Sequence, residues 1–141
     1  MTTAGYSGTP LAKKLGIKPG AAVAFPGAPE DLSAVLGELP AGVRVRSRLG
    51  GRLNVIVLFV TRHAELARRF PIAVKSLDAD GGLWVAWPKK SSGVATDLSF
   101  EVVQRTGLDD GLVDNKIAAV DDTWSGLRFV YRVGDRPARR K

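Results

Sequence analysis

The sequence predicts an α/β fold: a mainly parallel, doubly wound sheet with a C-terminal antiparallel hairpin. Three observations carry that expectation. Short apolar runs rich in β-branched residues alternate with segments of helical periodicity, the order that builds a parallel sheet covered by helices on both faces. The run LNVIVLFV at 53–60 is apolar almost throughout, as a strand buried on both faces must be. Two long strand-like stretches, 112–120 and 124–133, are separated only by Asp121, Asp122 and Thr123, a connection that makes them antiparallel neighbours.

Taken in order, TPLAKKLG reads as a short helix. Thr9 would cap it, Pro10 suits its first turn, and Gly16 suits its left-handed stop. After the Pro19-Gly20 turn, residues 21–25 form a short strand, and 31–36 a brief helix with Leu32, Val35 and Leu36 inward. Residues 43–46 alternate apolar and basic side chains, which predicts a strand with one wet face. After the 53–60 strand, Thr61 is expected to cap a helix with Ala64, Ala67 and Phe70 inward. Pro71 should break or kink that helix, because proline lacks a backbone donor and clashes with the preceding turn. Asp80, Gly81 and Gly82 read as a turn before the strand LWVAW at 83–87. The polar loop PKKSSGVAT leads to a helix from 97 to 106, stopped by Gly107. In the last strand Leu127, Phe129, Tyr131 and Val133 share one face, with Arg128 and Arg132 on the other. Residues 1–134 are expected to form a single domain and 135–141 a basic, flexible tail.

The composition is that of a soluble globular domain, with 45% hydrophobic and 25% charged residues among 141. Cysteine is absent, so disulfides, thiolate nucleophiles and cysteine-bound metals are excluded. No stretch is long and apolar enough for a membrane span, and no export signal opens the sequence, so a cytoplasmic location is expected. The net charge is +7. Arg136, Arg139, Arg140 and Lys141 supply four of these charges, which identifies the excess more with a solvated end than with a nucleic-acid groove.

The lead-in LGIKPG, the NVIVLFV strand, the GGLWVAW strand and the terminal hairpin together resemble a shortened S-adenosylmethionine-dependent methyltransferase fold, a Rossmann-like sheet whose last strand runs antiparallel. KKLGI at 13–17, GLWVAWPKKSSG at 82–93 and WSGLRFV at 124–130 also resemble an uncharacterised bacterial family, domain of unknown function family 3052. The second resemblance implies a fold and a bacterial origin and adds no activity. The first implies where a cofactor would sit: a glycine-rich turn after the first strand, and a carboxylate at the end of the second to hold the ribose.

Neither anchor is present. The first loop, FPGAPED, has one glycine and two prolines, and the second strand ends in Arg46, Ser47 and Arg48. Neither a dinucleotide-binding G-x-G-x-x-G nor a phosphate-binding P-loop occurs. No cofactor and no metal are therefore expected. His63 is the only histidine, and without a nucleophile elbow it reads as a solvated helix-end residue. Asp121 and Asp122, like Asp109 and Asp110, lie where turns are required and read as structural.

The feature that best fits a ligand is WPKKSSG at 87–93. It leaves a buried strand at its carboxyl end, where open α/β sheets bind ligands. Lys89, Lys90, Ser91 and Ser92 could hold a phosphate or carboxylate, backed by Pro26, Gly27 and Glu30 of the first loop. The leading reading is a non-catalytic methyltransferase-like domain that binds an anionic small molecule or a protein partner. One alternative is a nucleic-acid accessory using Arg44, Arg46, Arg48 and Arg52 with Arg139, Arg140 and Lys141. Another is a divergent S-adenosylmethionine-dependent enzyme. The outer strand of the hairpin also admits a homodimer, because exposed strand edges invite pairing.

Overall fold

A computed structural model describes residues 10–140. Its strands are β1 (Ala22–Ala24), β2 (Arg44–Arg46), β3 (Leu53–Phe59), β4 (Leu77–Pro88), β5 (Leu112–Ala119) and β6 (Trp124–Tyr131). They form one sheet in the order β2-β1-β3-β4-β6-β5. The pairs β1–β2, β1–β3 and β3–β4 are parallel, whereas β6 runs antiparallel to both β4 and β5. This is the mixed sheet with an antiparallel end that the sequence predicts. The helices are α1 (Leu11–Lys14), α2 (Leu32–Leu36), α3 (His63–Ser76), α4 (Phe100–Asp109) and α5 (Arg136–Arg140). No helix among the described residues is long and apolar enough to cross a membrane.

Two cores lie on opposite faces of the sheet. Leu66, Phe70 and Ala73 of α3 and Val103 of α4 pack with Ile56, Leu58, Leu83, Val85 and Trp87. Leu11 and Ala12 of α1 and Leu32 and Leu36 of α2 pack with Val55, Val57, Trp84 and Ala86 on the other side. Trp84 and Trp87 thus face opposite layers, as their spacing requires. Full burial of side chains of this size stabilises by roughly 1.5–3 kcal/mol each. The Trp84 indole nitrogen also donates to Leu15 O at 3.0 Å, so its one polar atom is satisfied inside the core.

Several expectations are corrected. Pro71 neither breaks nor ends α3, which continues from His63 to Ser76 around it. Pro71 itself is exposed, and buried Phe70 and Ala73 on either side hold the helix to the sheet. Ala64 and Ala67 face solvent; Leu66, Phe70 and Ala73 point inward. Thr61 does not cap α3, whose N-cap is Arg62. Asp80, Gly81 and Gly82 are not a turn but part of the twelve-residue β4, where its register against β3 shifts. At Gly81 an added Cβ would lie 2.8 Å from Asn54 O, so glycine is needed for close strand approach.

Gly107 does not stop α4, which begins at Phe100 and runs through it to Asp109. Ser99 caps this helix, its hydroxyl accepting the Val102 N–H at 3.3 Å. β2 is wet on both sides, with Val45 exposed beside Arg44 and Arg46, because it is an edge strand that no helix covers. The Thr9 cap lies outside the described residues.

The segment read as a tail has structure at 136–140. Arg136 Nε donates to Tyr131 O at 3.1 Å, and Arg139 Nε donates to Leu77 O at 2.7 Å. Arg139 Nη2 also donates to Lys75 O, and its guanidinium lies 5.7 Å from the Tyr131 ring centroid. A cation at the carbonyl end of α3 opposes the negative pole of that helix.

Candidate functional site

Parallel β1, β3 and β4 deliver their carboxyl ends to one edge of the sheet. β1 lies between β2 and β3, and the connections from β1 and β3 cross opposite faces, so the crevice of an open α/β sheet falls between these two ends. The loop after β1 occupies the mouth of this crevice. Phe59 N–H donates to Pro26 O at 2.9 Å. Gly27 adopts φ +74, and an added Cβ would lie 2.5 Å from Phe59 O and 3.2 Å from Arg69 Nη1. Only glycine therefore lets the loop lie this close to the end of β3.

Arg69 stands beside that loop and pairs with Glu65 at 3.7 Å, while the other oxygen of Glu65 accepts the Thr61 N–H at 3.2 Å. Asp97 Oδ1 accepts the His63 N–H at 2.7 Å, placing a carboxylate at the amino end of α3. His63 itself is an exposed first residue of the helix. Asp121 Oδ1 accepts the N–H groups of Thr123 and Trp124 at 2.8 and 2.9 Å, which makes it the turn residue the sequence predicts. Three carboxylates at this edge are thus committed to backbone donors, and Glu65 also to Arg69.

The cations differ. Lys89 N–H donates to Thr123 O at 2.8 Å, which fastens the loop after β4 to the hairpin turn. Residues Lys90–Ser92 form one 3-10 turn ended by Gly93 at φ +77. The Ser92 hydroxyl donates to Lys89 O at 2.6 Å and accepts the Val94 N–H at 3.2 Å, so it is spent within the loop. Lys90 and Ser91 are exposed and Lys89 is half-buried. Neither ammonium forms an ion pair among the described residues. Arg46, paired in register with Ala24, ends β2 at the same edge, followed by exposed Ser47 and Arg48.

The residues singled out in the sequence separate into groups. Pro26, Gly27 and Glu30 sit at the end of β1, and Lys89, Lys90, Ser91 and Ser92 at the end of β4. β3 lies between, so the groups are about 10 Å apart, two strand spacings. Arg44, Arg46 and Arg48 line the β2 edge. Arg52 and Arg139 lie elsewhere, with Arg52 donating to Arg139 O. Lys141 lies outside the described residues, as does the Arg140 side chain.

Sequence reading missed Arg69 and the aromatic pair at this edge. Phe59 and half-buried Trp124 meet edge to face, with centroids 5.1 Å apart and planes at 88°. The Glu65/Arg69 spacing of four was a visible helix-pair signal; its position beside Gly27 is tertiary.

No family model matches the chain, and no curated protein does. Solved structures do. A SAM-dependent methyltransferase from Aquifex aeolicus is similar with a TM-score of 0.57 at 14% identity, over 84% of this chain and 86% of that one. Magnesium protoporphyrin IX methyltransferase from Synechocystis gives 0.56 at 12% identity, over 81% and 75%. Fibrillarin from Aeropyrum pernix, solved with natively bound S-adenosyl-L-methionine, gives 0.56 at 14%, over 85% and 73%. The fold is therefore that of the Rossmann-like methyltransferases.

Proposed function

We propose that this chain is a methyltransferase-like domain that does not transfer methyl groups and holds an anionic small molecule at the carboxyl edge of its sheet. The observation that carries the reading is the division of charge at that edge. Glu65, Asp97 and Asp121 are engaged internally, whereas the ammonium groups of Lys89 and Lys90 form no ion pair among the described residues. Arg46 and Arg48 stand where a ribose-binding carboxylate is expected from the fold resemblance. The loop that would cradle the methyl donor instead lies against Phe59. Lys89 and Lys90 supply the anion contacts, and the Pro26, Gly27 and Glu30 backbone offers the second side.

Two titrations test this. Calorimetry with S-adenosylmethionine should give no heat of binding, and a saturable isotherm there would replace the proposal with the divergent-enzyme reading. Thermal-shift measurements against nucleotides and phosphorylated metabolites should yield a stabilising anion, lost in Lys89→Ala/Lys90→Ala. The proposal fails if the double variant responds to each compound as the wild type does. The nucleic-acid reading draws on exposed Arg44, Arg46 and Arg48. A salt-sensitive gel shift abolished by neutralising those three residues would favour it instead.

A further inference from the structure

Arg128 lies about 13 Å down the sheet from the carboxyl edge, four strand residues from Trp124. It pairs in register with Trp84 of β4 and Lys116 of β5, so it stands on the face that carries α1. Its position is unusual for a cation. On that face its register partner Trp84 is fully buried, and Arg128 is itself half-buried. Among the described residues it forms no ion pair.

The surroundings are shaped to the guanidinium. A Cβ at Gly82 would lie 2.3 Å from Arg128 Nε and 2.6 Å from both Cζ and Nη2. The planar group therefore rests on the bare backbone of β4, and any side chain there would displace it. The register shift of β5 between Asp114 and Lys116 frees Asn115, whose Oδ1 accepts from Arg128 Nη1 at 3.3 Å. The Nε and Nη2 edge, the pair of parallel donors that matches an oxyanion, makes no hydrogen bond among the described residues. Lys116 and Lys14 are tied to carbonyls, Nζ of Lys116 to Lys14 O at 3.1 Å and Nζ of Lys14 to Ala119 O at 3.2 Å. Burial lowers the Arg128 pKa from its ordinary value, and the neighbouring Arg136 charge lowers it further.

We infer that Arg128, braced by Gly82 and Asn115, is a binding site for a phosphate-class oxyanion. A half-buried cation with no ion-pair partner among the described residues is costly unless an external anion completes it. The oxyanion accepts two parallel hydrogen bonds from the Arg128 fork.

The test is an NMR titration of the full-length chain with inorganic phosphate against sodium chloride at equal ionic strength, following the Arg128 Nε–H signal. Saturable movement of that signal with phosphate alone is expected. Arg128→Lys keeps the charge and stem but loses the fork, so its affinity, read by chemical shifts of Gly82 and Asn115, should fall by about tenfold or more. Lys89→Ala/Lys90→Ala should leave the titration unchanged, which separates this site from the carboxyl edge. The inference is overturned if the wild-type signal does not saturate, if Arg128→Lys binds as wild type, or if the lysine double variant abolishes the response. The wild-type titration decides the matter even where a variant fails to fold.

Discussion

Gly107 offers the sharpest test of the packing described above. Replacing it by alanine in a helix interior should help α4, because alanine is favoured over glycine there by about 1 kcal/mol. The structure predicts the opposite sign. A Cβ at Gly107 would lie 2.0 Å from Phe129 Cε1 and 2.4 Å from Cδ1. The ring cannot easily retreat: Phe129 is fully buried and meets Phe70 edge to face at 5.6 Å. Overpacking of a tight core costs roughly 1–3 kcal/mol, and contacts this short belong at the upper end. Subtracting the propensity gain leaves a net loss of about 2 kcal/mol, equivalent to a fall in Tm of about 4–8 °C. Urea and thermal denaturation of Gly107→Ala would measure it. In a Phe129→Leu background the same alanine should become neutral or stabilising, a coupling of about 2 kcal/mol. A Gly107→Ala protein as stable as the wild type, or a coupling near zero, would refute the reasoning.

Three further outcomes are expected. Ser99→Ala removes the acceptor for the Val102 N–H and should cost about 1 kcal/mol in denaturant unfolding; an unchanged midpoint would remove its role as cap. Tyr131→Phe loses the hydroxyl's bond to Val74 O, at a cost of about 1 kcal/mol near neutral pH. Burial raises the Tyr131 phenol above its ordinary 10.0, against the opposing pull of the Arg139 and Arg52 charges. The stability this contributes is complete below pH 10 and is lost as the pH rises through the raised folded value. Urea midpoints across the alkaline range should accordingly fall less steeply for Tyr131→Phe than for wild type. Arg139→Ala uncovers the carbonyls of Lys75 and Leu77, so amide exchange at the carboxyl end of α3 and across α5 should accelerate, while the centre of β3 stays protected.

The mainly parallel sheet and its antiparallel end were legible because they depend on apolar runs and connection lengths, both visible locally. The errors share one physical source at Gly81, Gly82 and Gly107. Glycine serves two purposes, a left-handed backbone or a missing side chain, and the sequence does not distinguish them. Gly16, Gly20, Gly37, Gly93 and Gly111 have positive φ and end helices or form turns as their neighbours suggest. Gly81, Gly82 and Gly107 do not; each makes room for something distant in the chain, respectively Asn54, Arg128 and Phe129. Pro71 was misjudged similarly, since local strain was visible but the burial of Phe70 and Ala73 that offsets it was not. At the candidate site, strand endings placed Lys89, Lys90, Pro26 and Gly27 on one edge. The partners that tune that edge, Asp97 at His63 and Arg69 at Gly27, are 34 and 42 positions away, beyond any local pattern.

The three residues of β2 carry a consequence for the protein's behaviour at high concentration. An edge strand presents a row of backbone groups on which a foreign strand can build, and long apolar edges seed aggregates. Here the edge is short, and Arg44 and Arg46 flank its single exposed valine. A second chain adding itself there would bring two guanidinium groups against its own, a repulsion that acts before any hydrogen bond can form. At the opposite margin, the irregularity near Asn115 interrupts the even spacing that strand addition needs. The sheet therefore keeps its buried apolar strands in the middle and presents charge or irregular spacing at both rims.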